Sequence, residues 1–173
     1  MGYISVDVES DGPNFRKNSM VCFGAVIIEP SLNKTFYGRV RPTTDFWEPE
    51  ALSISGFSRE EHLAFDDPFE VMPKFAKWIN ENSVGRPIFI SDNNGYDFPW
   101  INMYFLEYNN SVNPFGWSSR RISDLFCGAE HDLYYKWKKY RKTIHSHDAL
   151  DDCIGNAEAL LYFFEKYRMK LPK

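Results

Sequence analysis

"YISVDVES", residues 3–10, alternates apolar and polar side chains along its whole length. This period of two is typical of a β-strand with one buried face. The isoleucine and the two valines share the apolar side, whereas Asp7 and Glu9 lie together on the opposite side. Side chains two positions apart on one face of a strand are about 6–7 Å apart. The stretch therefore predicts a first strand that carries two neighbouring carboxylates.

Strand and helix patterns mix along the rest of the chain. Runs with strand character occur at 3–10, 20–29, 35–42 and 86–93. Helical periodicity predicts two short helices within 48–62 and further helices at 66–82, 99–109, 122–128, 132–140 and 148–168. Three strands, a helix, a strand and then helices indicate an α/β fold with a mixed central sheet flanked by helices.

The composition indicates a single compact domain. Of the 173 residues, 43% are hydrophobic and 17% aromatic, so we expect one domain over residues 1–173. No signal peptide is predicted, because the N-terminus turns acidic without a basic flank. The longest apolar run, 21–28, is far shorter than the roughly 20 residues of a membrane helix. Three widely spaced cysteines predict neither disulfides nor a thiolate zinc site, and we expect a cytoplasmic protein.

A second acidic stretch, "HDALDDC" at 147–153, precedes the apolar stripe of the last predicted helix. At about 100° per residue, Asp151 falls nearly opposite that stripe. Asp148 is placed to cap the first turn of the helix. Asp152 falls at the margin of the stripe and is the candidate functional acid, although a plain salt-bridge partner is the alternative.

Asp7 and Glu9 strengthen the functional interpretation of Asp152. Two bare carboxylates on a half-buried face repel each other, and divalent cations relieve that repulsion. A solvated strand face is the alternative for this pair. Asp97 follows the fourth predicted strand, where ligand sites collect in α/β sheets, but it is equally suited to cap the next helix.

Taken in order, "VDVES", "YDFPWI" and "HDALDDC" resemble the three exonuclease motifs of the DnaQ-like family, in its DEDDh group. In that group four acids bind two metal ions, and a histidine five positions before the last acid completes the site. The matching order and separations extend from Asp7 to Asp152. The resemblance implies an RNase H-like fold and a 3′–5′ exonuclease of the small stand-alone type.

The resemblance also implies a role for each matching residue. Asp7, Glu9 and Asp152 would hold the ion that activates water. Asp7 would also contact a second ion, which Asp97 would support. His147 would be the general base, because its ordinary pKa near 6.5 lets it accept a proton at neutral pH. The expected cofactor is two divalent ions, Mg²⁺ or Mn²⁺.

The chain departs from the family pattern at several positions. Ser10 and Gly12 belong to a Ser-Asp-Gly run where many members have Thr-Thr-Gly, so their predicted contacts to the terminal sugar are altered. The spacing from His147 to Asp151 fits the related tyrosine subgroup with histidine in place of tyrosine, although the helical phase favours Asp152. His145 is a rival for the general base.

A basic and aromatic stretch, "YYKWKKYRKT" at 134–143, stands out in a chain of net charge −4. Interleaved aromatic and basic side chains suit single-stranded nucleic acid, and Lys138 and Arg141 are candidate contacts. A solvated amphipathic helix is the alternative. Phe98 and Trp100 adjoin a motif acid and are placed to wedge the last bases, unless they belong to the core.

We therefore predict a metal-dependent 3′–5′ exonuclease that acts on single-stranded RNA or DNA 3′ ends. The alternatives are a catalytically weak nucleic-acid-binding module of the same fold and a hydrolase of short oligonucleotides or nucleotides. No residue pattern distinguishes the two sugars. The aromatic content allows a homodimer, and no membrane association is expected.

Overall fold

The computed structural model describes residues 2–170, and residue 1 and residues 171–173, at the ends of the predicted domain, lie outside the described residues. Five strands form one mixed sheet in the order β3-β2-β1-β4-β5. Their bounds are β1 Tyr3–Ser10, β2 Met20–Ile27, β3 Thr35–Arg39, β4 Ile88–Ser91 and β5 Ser119–Arg121. β1 to β3 form an antiparallel meander, whereas β4 and β5 are parallel to β1. The predicted mixed sheet is confirmed.

Six α-helices flank this sheet. They are α1 Pro49–Ile54, α2 Arg59–Leu63, α3 Pro68–Asn82, α4 Asn94–Tyr108, α5 Ile122–Glu130 and α6 Ala149–Lys166, with a 3₁₀ helix at Trp137–Tyr140. None of the helices within residues 2–170 has both the length and the apolar character that a membrane crossing requires.

Each face of the sheet has its own apolar cluster. The isoleucine and valines of β1 pack with α3 and α4 around Phe75 and Trp100. The other face packs with α5 and α6 around Phe126, Cys153 and Phe163. Because side chains alternate along β1, Asp7 and Glu9 lie on the face that α6 covers. The alternation of side chains along β1 and the position of Asp152 around the helix axis of α6 therefore bring the acids of the two elements together.

The structure departs from the sequence prediction at three elements. The helix expected near Pro99 begins at Asn94, so Asp97 lies inside α4 and does not cap it. β5 was not predicted, because its three residues are polar and pair only at the edge of the sheet. The helix expected at 132–140 is a single 3₁₀ turn, since Leu133 and Tyr134 are exposed and supply no buried face for a longer helix.

Candidate active site

Close packing of α6 on the sheet positions the last acidic motif. Gly24 lies opposite Asp7 in the β1–β2 register. A Cβ atom at Gly24 would be 2.2 Å from the carbonyl oxygen of Ala149, so only glycine lets the start of α6 approach this closely. Asp148 caps the helix by accepting from the backbone N–H groups of Leu150 and Asp151. The first turn of α6 is thereby held directly over Asp7.

Asp7, Glu9 and Asp152 converge on the space between β1 and α6. Each offers one carboxylate oxygen, and these oxygens lie within 4.8 Å of one another. Asp152 is buried, whereas Asp151 is exposed one residue away. The helical phase thus distinguished the two aspartates correctly as buried and exposed side chains.

Asp97, on α4, is an electrostatic neighbour of this group of three carboxylates. Its side chain is only 2% exposed, and its Oδ2 atom has no hydrogen-bond partner among the described residues. Burial raises the pKa of Asp97 well above its ordinary value. Burial also raises the pKa of Asp7, and the negative charge of Asp97 is the next largest cause. The carboxylates of β1 and α4 are therefore electrostatic neighbours.

Glu9 shows how strongly burial and the neighbouring carboxylates disfavour negative charge in the cluster. Burial raises its pKa from an ordinary 4.5 to about 8, with further contributions from Asp152 and Asp148. Buried like charges of this kind are stable when protons or cations neutralise them. A set of carboxylate oxygens with an unpaired buried oxygen fits hard divalent cations.

Arg141 supplies a positive charge that the sequence did not reveal. We predicted that Arg141 contacts substrate, but its guanidinium group lies inside the site, with Nη2 2.6 Å from Asp152 Oδ1. Its side chain is 6% exposed. A Cβ atom at Gly155 would come within 2.4 Å of Arg141 Nε, so that glycine leaves room for the guanidinium. A small residue one turn after Asp152 was the only sequence signal for this contact.

The two histidines near Asp152 are both exposed. His145 Nδ1 lies 2.6 Å from Asp152 Oδ2, and the His147 ring lies 4.4 Å from the His145 ring between centroids. His147 has a left-handed backbone with φ of 60°. One ring nitrogen of each histidine lies within 4.8 Å of an Asp152 oxygen. The structure thus brings both candidate bases to the acid, and the assignment of His147 stays a prediction.

The other predicted substrate residues differ in accessibility. Ser10 is buried and donates from Oγ to the carbonyl oxygen of Gly12, so this pair shapes the turn after β1. Phe98 is partly buried and Lys138 is exposed. Trp100 is fully buried in the core, so its side chain does not reach a substrate, and the expected contact is wrong in this structure.

Asp11 has a structural role that the sequence analysis missed. Its carboxylate accepts from the backbone N–H of Ser19 at 2.6 Å and from Arg59 Nη1 at 2.8 Å. The aspartate side chain is fully buried in this ion pair. The pair ties the turn after β1 to α2, and sequence spacing gave no sign of the partner.

Buried carboxylates on a mixed sheet, with histidines at their edge, are typical of RNase H-like nucleases that use metal ions. The model of the exonuclease family RNase_T matches residues 4–160. The 3′–5′ DNA exonuclease Cap18 of Escherichia coli is 34% identical over 170 residues, which are 90% of this chain and 88% of that protein. The chain belongs to the RNase_T exonuclease family, and the predicted 3′–5′ exonuclease is confirmed.

Solved structures agree on the fold. The nuclease domain of 3′hExo, a DEDDh family member bound to rAMP, superposes with a TM-score of 0.79 at 15% identity, covering 99% of this chain and 96% of that one. Escherichia coli exonuclease I in complex with a dT13 oligonucleotide has a TM-score of 0.72 at 17% identity, covering 95% and 41%. The predicted RNase H-like fold is confirmed. Exonucleases of the DEDDh family use divalent metal ions.

Proposed function

We propose that this exonuclease removes nucleotides from the 3′ ends of single-stranded DNA and depends on Mg²⁺ or Mn²⁺. The observation that carries the proposal is the buried carboxylate cluster, in which Asp97 keeps an unpaired oxygen and the pKa of Glu9 is raised to about 8. An acidic protein binds phosphate when such a cluster holds cations. Similarity to a DNA exonuclease over most of both chains favours DNA as the polymer.

Asp7, Glu9, Asp97 and Asp152 are the residues that would hold two divalent ions. Bound there, such ions lower the pKa of water and stabilise charge on the attacking and leaving oxygens. The contribution of the chain is to hold the carboxylates together before substrate arrives. Asp152 is held by the rigid start of α6, and Asp7 by the central strand of the sheet.

His147 is the proposed general base. An imidazole at the exposed edge of the cluster can take a proton from water. His145, which already contacts Asp152, would then orient that carboxylate and the histidine segment. The exposed location of both rings leaves them accessible to an incoming strand.

Several coarser properties complete the proposal. Residues 1–173 would act as one exonuclease domain. Three free and buried cysteines are compatible with a reducing compartment, and we propose a cytoplasmic location. Trp117 is 75% exposed and offers apolar surface for a contact between two copies in a homodimer. Analytical ultracentrifugation tests the last point.

Digestion of end-labelled oligonucleotides tests the function. Single-stranded DNA and RNA of equal length, labelled at the 5′ end, are incubated with Mg²⁺, Mn²⁺ or EDTA. We expect a ladder that shortens from the 3′ end, requires the metal and forms faster on DNA. Binding without shortening would favour the nucleic-acid-binding module, and cleavage of dinucleotides alone would favour the short-substrate hydrolase.

A further inference from the structure

Two adjoining cavities extend away from the acidic cluster. The smaller, of about 200 Å³, is bordered by Arg141, Lys142 and His145, next to Asp152. The larger, of about 550 Å³, lies at the ends of β4 and β5. Lys138 borders both cavities, so they adjoin at this side chain, and Arg141 and His145 of the smaller cavity contact Asp152.

Basic side chains are concentrated along this surface. Arg121 and Lys136 border the larger cavity together with Lys138. Asp92 is the one acidic residue among those that border either cavity, and it pairs with Lys138 at 2.5 Å. In a chain of net charge −4, this local excess of positive charge marks a surface for a polyanion.

The larger cavity also has groups that suit a nucleotide in particular. Tyr135 borders it with a half-buried ring, and Lys139 Nζ lies 4.7 Å from the centroid of that ring, so aromatic and basic groups adjoin as they do on single-strand binding surfaces. Ser123 lies in the first turn of α5, whose N-cap residue makes no side-chain capping bond. The backbone N–H groups of this turn add to the attraction that the arginine and lysines exert on phosphate.

We propose that the larger cavity binds the phosphodiester backbone one or more nucleotides upstream of the scissile bond. This inference rests on the proposed function, in which the 3′ end lies at Asp7 and Asp152. The strand then leaves along Lys138 towards Arg121 and Lys136. The cavity at Pro13–Arg16, on the turn after β1, is bordered by a single basic side chain. Electrostatics therefore favours the path along β5.

The path predicts that substrate length matters. A dinucleotide occupies only the acidic cluster, whereas a strand of about ten nucleotides also reaches the larger cavity. Arg121 and Lys136 then lower KM for the long strand and have little effect on the short one. For single strands, each phosphate contact contributes about 0.7 to the slope of log affinity against log salt.

The test compares a double variant, Arg121→Met with Lys136→Met, with the matched control Lys74→Met with Lys77→Met. The control removes two exposed charges on α3, at residues that border neither cavity, and it changes the net charge by the same amount. KM and kcat are measured for a dinucleotide and a ~10-nucleotide single-stranded DNA at several salt concentrations. An RNA of equal length is included, because phosphate contacts do not depend on the sugar.

For the cavity variant we expect KM for the long strand to rise about tenfold and the salt slope to become shallower by about 1.4. In the cavity variant, KM for the dinucleotide should change less than about twofold. In the control variant, KM for the dinucleotide and KM for the long strand should each change less than about twofold. An equal effect on both substrate lengths, or an effect no larger than that of the control, would overturn the proposal.

Fluorescence anisotropy separates this proposal from the proposed function. The same labelled strand is titrated with each protein in EDTA, where no metal-dependent cleavage occurs. If the wild-type protein never cleaves but the cavity variant binds the strand more weakly than the wild type, the nuclease function is refuted and the binding surface is retained. Normal wild-type cleavage with unchanged binding by the variant would retain the function and refute the surface.

Discussion

Asp7 and Asp152 lie on regular elements that pack directly against each other, whereas His145 and His147 lie on the segment between the 3₁₀ helix and α6. The aspartates are fixed by strand register and by the close approach at Gly24. The histidines are exposed and project from irregular backbone. The difference teaches that the scaffold preorganises the charge of the site, while the proposed proton-transfer group is held by few contacts.

The largest effect should follow from substituting the aspartates that strand β1 and helix α6 hold in place. Asp7→Asn and Asp152→Asn each remove a carboxylate charge from the proposed metal ligands, and we expect degradation of single-stranded DNA to fall below detection. Circular dichroism should show an intact fold, because the amide keeps the shape of the side chain. Undiminished activity in both variants would refute the site.

Substitution of the two histidines should lower kcat by different amounts. His147→Ala should lower kcat by about 10²–10⁴, the typical contribution of a general base. His145→Ala should lower it less, because its proposed role is to orient Asp152. Single-turnover rates across pH 5–9 measure both. A reversed order of the two losses would assign the base to His145.

Arg141 connects the buried aspartates with the segment that carries the histidines, since it follows the 3₁₀ helix and contacts Asp152. Arg141→Met leaves a buried carboxylate without its cation, which should cost about 3–5 kcal/mol in EDTA. Urea unfolding should show a smaller loss in Mn²⁺, because bound ions take over the neutralisation. The control Arg41→Met breaks an exposed pair with Asp67 and should cost about 0–1 kcal/mol. Equal small losses would contradict the role of Arg141.

The pH dependence of stability probes the charge in the acidic cluster. Glu9 has an ordinary pKa of 4.5 and a folded pKa of about 8. Between these values the unfolded chain loses the proton first, so the folded state binds more protons and becomes less stable as pH rises. Melting temperatures in EDTA should therefore fall from pH 5 to 8, and less steeply in Glu9→Gln. A rise over this window would contradict the buried cluster.

The smallest effect concerns the packing that brings α6 to the sheet. Gly24→Ala would force Ala149 away from β2 and should cost about 1–3 kcal/mol. Gly128→Ala in α5 is the matched control, because no atom lies within 4 Å of the added methyl group. Its stability should be equal or higher, as alanine favours a helix. Equal stabilities of the two variants in urea would argue against the close approach.

Periodicity explains how much of the fold and site was predictable. The period of two placed Asp7 and Glu9 on one face, and the helical phase separated buried Asp152 from exposed Asp151. The start of α4 was misplaced because Gly95 and Pro99 are residues that usually end helices.

Contacts between distant segments escaped the sequence. The ion pair of Arg141 with Asp152 depends on how the segment before α6 packs against that helix. The pair of Asp11 with Arg59 joins the turn after β1 to α2. The choice between His145 and His147 depends on an irregular segment, where no period constrains a side chain. Local patterns predict faces of strands and helices, and they do not predict which faces meet.

Calorimetric titration with Mn²⁺ tests the central claim most directly, namely that the four carboxylates form one metal centre. The wild-type protein should bind two ions per chain saturably, and Asp7→Asn should bind fewer ions or bind them much more weakly. Release of protons should accompany Mn²⁺ binding near neutral pH, because the pKa of Glu9 is raised to about 8. Absence of saturable binding, or equal binding by wild type and Asp7→Asn, would contradict the account.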